Sequence, residues 1–269
     1  FGALVGGSGF GTHTTETIST PAGGPYLSSS ITWGSGATGA TTVPVNGTDA
    51  AGNSSNATTL TLSLDNTAPT GGTISETGGA RTLTKTGNSV AFLNGANTYS
   101  GVTTISGGTL VASILTNGGL PSGIGQSSAI PANLVISSSV FGYNGTVAAS
   151  TDRQFTMGGT GAGPAASGAA GAPVTFANTA PITVTAPAAA TFSLGGSNTD
   201  LNVFAGKIID GGQATSLAKN GAGTWLISNS NTYAGTTTVN GGILRATGAV
   251  GTGAMTVNSG GTFDAANGV

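Results

Sequence analysis

The chain has 269 residues, no cysteine, 49 glycines and formal net charge -2, with 6 basic and 8 acidic side chains. Only 5% of residues are charged, against about a quarter in an average soluble protein; no basic stripe exists to neutralise phosphates, which excludes nucleic acid as a partner. Apolar runs are a few residues long, far short of the ~20 that cross a bilayer, so no membrane span is expected. The absence of cysteine leaves core packing and backbone pairing to hold the fold, and the small net charge argues against disorder. The first residue is Phe1, with no initiator methionine or signal-type segment, so a processed chain or a fragment is expected.

Residues 1–70 read as an antiparallel module. Ile18, Tyr26, Leu27, Ile31 and Trp33 are apolar points among Gly, Pro and Ser. Thr41 to Val45 reads as a strand, residues 46–56 as turns, and Thr58 to Leu64 as a strand with leucine at 60, 62 and 64 on one face.

From residue 71 to 269 the pattern changes to strands of four or five residues that bend at glycine and return every 18 to 30 positions. A single coil of this kind cannot hide its apolar side, whereas stacked coils close a core and pair the backbone above and below, so the expected fold is a parallel β-solenoid. Alternation within each strand points Ile105, Leu110, Ile136, Phe141, Val239, Leu244, Val257 and Phe263 inward. The Gly- and Ala-rich run 158–173 reads as a loop or loosely wound coil, because its glycines and prolines oppose a helix.

Residues 83–113 and 217–247 align without a gap, and 13 of 31 positions are identical. The matches include Lys85 with Lys219, Asn97 with Asn231, Tyr99 with Tyr233, Gly101 with Gly235, Gly107-Gly108 with Gly241-Gly242, and Leu110 with Leu244. These Lys-x-Gly, Asn-Thr-Tyr-x-Gly-x-Thr-Thr and Gly-Gly-x-Leu elements resemble the passenger-associated repeat of bacterial autotransporters. Three other phrases resemble such passengers too: residues 117–125, Ser150 to Phe155, and Ile209 to Gly212. The resemblance implies a right-handed parallel β-helix at the cell surface or outside it. The run 48–53, followed by a strand and Asp65 to Pro69, resembles the C-terminal hairpin of bacterial immunoglobulin-like modules. An all-β chain is therefore expected, with an immunoglobulin-like or atypical β module over 1–70 and the β-helix over 71–269.

Catalytic chemistry finds little support. The acids Glu16, Asp49, Asp65, Glu76, Asp152, Asp200, Asp210 and Asp264 are sparse, and glycosidic cleavage needs two carboxylates about 5 to 10 Å apart across one bond. The nearest pair, Asp200 and Asp210, is separated by less than one coil, which favours solvated turns. Asp152 and Arg153 point to opposite sides of a strand, and a salt bridge elsewhere is expected of them. His13 has no nucleophile placed beside it by the sequence. Asp49, Asn53 and Asp65 are candidate calcium ligands, with Asx-turn capping as the alternative. Tyr99, Tyr233, Trp225 and Phe92 read as packing residues of the repeat rather than a carbohydrate platform. The function expected is a non-enzymatic structural or adhesive stalk that meets surface glycan or protein. The alternatives are a fibre subunit stacking end to end into a homopolymer, and a glycan-active enzyme.

Overall fold

The computed structural model describes residues 73–265 and four short strands before them. The chain divides into two compact units, Phe1–Thr70 and Gly71–Val269. In the first, Ile18–Ser19 pairs antiparallel with Leu27–Ser28, and Thr41–Val45 pairs antiparallel with Thr58–Leu62 so that Val43 lies opposite Leu60. The immunoglobulin-like reading, His13 and the candidate calcium ligands Asp49, Asn53 and Asp65 fall outside the described residues.

The second unit is a parallel β-solenoid of about eight coils. Its strands stack in register on three faces. The first face carries Leu83–Lys85, Thr103–Ile105, Leu134–Ile136, Thr156–Met157 and Thr183–Val184. Val90–Leu93, Thr109–Ala112, Val140–Tyr143 and Gly163–Ala166 begin the second face. Parallel bridges from Ala162 to Phe192 and from Ala165 to Gly195 carry it on to Ala190–Leu194, Thr215–Lys219, Thr237–Val239 and Met255–Val257. Ala149–Thr151, Val174–Phe176, Leu201–Phe204, Thr224–Ile227, Gly242–Ala246 and Gly261–Ala265 form the third.

In most strands alternate residues enter the core, as in Thr103–Ile105, Ala190–Leu194 and Thr215–Lys219, which is the two-residue period of a strand. Ile105, Leu110, Ile136, Phe141, Val239 and Leu244 are all buried, as the alternation predicts. Val257 is not: it is 46% exposed, and Phe263 is only partly buried. Both belong to the last described coil, where no described strand stacks on the far side to cover an inward-pointing side chain. The run 158–173 is a wound coil, and Gly163–Ala166 within it is a paired strand of the second face. Midway along the stack the core is aromatic: Phe155 stacks on Phe192 at 5.9 Å, and the Phe192 and Phe204 rings lie 4.9 Å apart. Such pairs add directional packing to the area they bury.

The bend between strands needs a backbone most residues avoid. Gly108 and Gly242 hold it with φ of +64° in each copy. Where Ser138-Ser139 replaces the glycine pair, Ser138 takes φ of +49°, and the buried Ser139 Oγ donates to Ile105 O at 2.6 Å, a bond that holds the strained corner to the coil before it.

Candidate functional site

The two copies of the repeat build the same corner. Lys85 Nζ donates to Thr86 O, Gly87 O and Gly107 O at 2.7, 2.8 and 3.0 Å. Lys219 Nζ donates to the equivalent Asn220 O, Gly221 O and Gly241 O at 3.1, 2.9 and 2.9 Å. Each ammonium therefore spends its three donors on carbonyls of its own coil and the next, which clamps the two glycine corners together. Lys85 is half-buried in the first full coil, whereas Lys219 is fully buried with Leu194 beside it in the preceding coil and Val239 in the following one. That burial pulls the Lys219 ammonium down to about 8.

A second staple follows each clamp. The Tyr99 hydroxyl meets Thr103 Oγ1 at 2.8 Å, and the Tyr233 hydroxyl meets Thr237 Oγ1 at 2.6 Å. Burial pushes both phenols above their ordinary value, partly offset by these bonds. Asn97 Oδ1 accepts from Ile74 N at 2.7 Å, and Asn231 Oδ1 accepts from Ile208 N at 2.9 Å. Gly101 and Gly235 lie where an added Cβ would collide with backbone of the preceding strand entry, at Arg81 and Thr215. Leu110 and Leu244 close the core beneath.

The copies do not occupy the same faces. Strands 83–85 and 103–105 of the first lie on face one and 90–93 and 109–112 on face two. The corresponding strands of the second lie on faces two and three. Tyr99 accordingly stands where the third face would pass, and Tyr233 where the first would. The tyrosine corner replaces a strand, and the coil shortens wherever it occurs.

Arg153 departs from expectation. Instead of a salt bridge, its buried guanidinium donates to six oxygens, none a carboxylate: Thr116 O, Asn117 O, Leu120 O, Gly125 O, Ser127 O and Ser127 Oγ, at 2.9 to 3.4 Å. Its neighbour Asp152 turns outward and accepts from Gly118 N at 2.7 Å. The Asp-Arg phrase thus grips the 117–125 phrase, and burial lowers the pKa of Arg153 from its ordinary value.

Of the other described acids, Asp200 and Asp210 accept from backbone amides. Asp200 Oδ2 accepts from Gly171 N at 2.6 Å and Asn198 Nδ2 at 3.1 Å, while Asp210 Oδ1 accepts from Thr215 N at 2.7 Å. Asp264 pairs with Arg245 at 2.7 Å on the exposed side of face three. Among the described residues no group of three or more His, Cys, Asp or Glu is placed to hold a metal ion. Tyr99, Tyr233 and Trp225 lie in the core, as the packing reading expects, whereas Phe92 is 59% exposed and departs from it, because it lies on the outward side of the first described strand of its face, with no described strand before it. An asparagine ladder lines the second-face corner, with Asn258 Nδ2 donating to Asn240 Oδ1 at 2.7 Å and Asn240 Nδ2 to Asn220 Oδ1 at 2.8 Å. The sequence signal for it is Asn at the same place in successive coils.

The model of the passenger-associated-transport-repeat family matches residues 83–112 and 217–246, the two stapled corners. The chain is 43% identical over 169 residues to the adhesin BmaC autotransporter of Brucella suis biovar 1 (strain 1330). That alignment covers 62% of this chain and 5% of the relative, so the chain spans a small part of that protein's length. No solved structure matches the chain.

Proposed function

We propose that the chain is a stretch of a non-enzymatic, extracellular passenger stalk of a bacterial surface adhesin. The observation that carries this reading is the 43% identity to a protein named as an adhesin autotransporter. The passenger-repeat matches at 83–112 and 217–246 support it. The clamped corners suit a stalk, because a load along the stack is shared between the backbone ladder and side-chain staples that join consecutive coils. Every described acid is engaged with a backbone amide or a cation. Within this reading the solenoid over 71–269 is right-handed, and residues 1–70 form an immunoglobulin-like or atypical β module. Its partner is a host or bacterial surface protein or glycan.

The test is display of the chain on a non-adherent bacterium, scored for attachment to cultured cells and to immobilised surface proteins and glycans. Increased attachment over an empty-display control is expected, and none would overturn the adhesive role. Release of reducing ends from offered glycans would establish an enzyme instead, and filaments grown from purified chain would establish a fibre subunit.

A further inference from the structure

The equivalence of the two copies does not begin at Leu83 and Leu217. Ile74 and Ile208 each donate their N–H to the repeat asparagine and accept from the residue after it, Thr98 N and Thr232 N, at 2.9 and 3.0 Å. Gly78 and Gly212, at matching positions, both hold positive φ, +76° and +90°. Between them lies a carboxylate in each copy. Glu76 Oε2 accepts from Arg81 N at 2.7 Å and Ser100 N at 3.0 Å, and its Oε1 accepts from Ser100 Oγ. Asp210 Oδ1 accepts from Thr215 N at 2.7 Å and Ala234 N at 3.1 Å. Thr215 and Ala234 correspond to Arg81 and Ser100, so a glutamate and a shorter aspartate reach the same two amides.

We propose that the working unit of the repeat is a cassette spanning residues 74–112 and 208–246, in which the leading carboxylate, Glu76 or Asp210, is the positioning residue that sets the tyrosine corner. The carboxylate ties the amide that follows Tyr99 or Tyr233 to the amide at which the chain enters the clamped strand. One acceptor thereby fixes the two ends of a coil against each other, and a carboxylate does this more strongly than a neutral acceptor. The lysine then clamps the next corner from inside. Because the first cassette lies on faces one and two and the second on faces two and three, the geometry belongs to the cassette and not to its place in the stack.

Backbone amide hydrogen exchange on the full chain tests this. Asp210→Ala should speed exchange at Thr215 and Ala234 by on the order of tenfold or more, while Val174, which lies two coils before Asp210 and donates to Asn202 Oδ1, keeps the wild-type rate. Asp210→Glu should restore protection, since glutamate serves in the first copy, and Asp210→Asn should restore it only in part. Replacing residues 74–82 by 208–216 should leave Ser100 protected. Acidification supplies an independent readout. The bonds from Ser100 hold Glu76 below its ordinary carboxylate value, so protection at Arg81 and Ser100 should persist below the usual carboxylate range and then be lost, and Glu76→Gln should abolish that step. If Asp210→Ala gives no folded protein, Glu76→Ala is read at Arg81 and Ser100 in its place. Unchanged exchange in the alanine variant, failure of glutamate to restore protection, or loss of protection at Ser100 in the swapped chain would each overturn the proposal.

Discussion

Replacing Gly242 with alanine should destabilise the later coils by roughly 2–5 kcal/mol, the sum of two penalties that other glycines of the solenoid separate. The first is conformational: φ at 242 is +64°, and the left-handed region costs an L-residue about 1–2 kcal/mol. The second is steric: a methyl there falls onto Gly223 O and within 2.7 Å of the carbonyl carbon and oxygen of Ala222, all backbone of the preceding coil, and relieving such overpacking costs about 1–3 kcal/mol. Gly212 isolates the first penalty, because its φ is +90° and nothing lies within 4 Å of an added Cβ; its alanine variant should lose only about 1–2 kcal/mol. Gly241 has neither, with its nearest atom at 3.4 Å and no left-handed φ, and its variant should stay within about 0.5 kcal/mol of wild type. Trp225 reads the result, since it is buried and paired in register with Leu244. On a Trp33→Phe background it is the single tryptophan of the chain, and urea titration of its fluorescence reports the coils that touch Gly242. Equal losses for Gly242→Ala and Gly212→Ala would refute the close approach of consecutive corners, and a larger loss for Gly241→Ala would refute the assignment of the bend.

Leu244→Ala, at a fully buried position, should cost roughly 2–5 kcal/mol in the same titration; an unchanged midpoint would remove it from the core. Arg153→Lys keeps the charge but cannot span six oxygens on several sides, and should lose about 2–4 kcal/mol, with faster exchange at Gly119 and Gln126, whose amides anchor the gripped loop. Exchange unchanged there would show that the loop holds itself. Burial sets the pH dependence of the lysine clamp. The folded Lys219 pKa of about 8 lies below the ordinary ~10.4, so between these values the unfolded chain binds more protons than the folded one. The stability of wild type relative to Lys219→Met should therefore rise as pH increases from about 8 towards ~10.4 and level off on either side. Parallel stability curves for the two proteins across that window would show that the ammonium is not desolvated.

The solenoid was legible because its signals are local. A two-residue period and a glycine bend determine which side of each strand is apolar, and that was enough to place Ile105, Leu110, Ile136, Phe141, Val239 and Leu244 in the core. The repeat was legible because Lys, Tyr and Gly recur at matching positions of both copies, where each does something with its full side chain, or with the lack of one. The carboxylate of the cassette was not, since Glu76 and Asp210 differ in length, sit in poorly matching sequence, and meet amides 24 residues on.

The sequence by itself determined the parallel stacking and the inward positions, which follow from spacing within one coil, and the paired copies, which follow from the ungapped match of 83–113 with 217–247. Only the tertiary structure decided which face each strand joins, because that depends on the summed lengths of every corner before it; the second copy consequently lies one face further round than the first. It also decided the burial of Arg153 and Lys219, for a long cation enters a core when carbonyls from other coils converge on its head. The exposure of Val257 has the same origin: alternation says which way a side chain points, and only the neighbouring coil determines whether anything covers it.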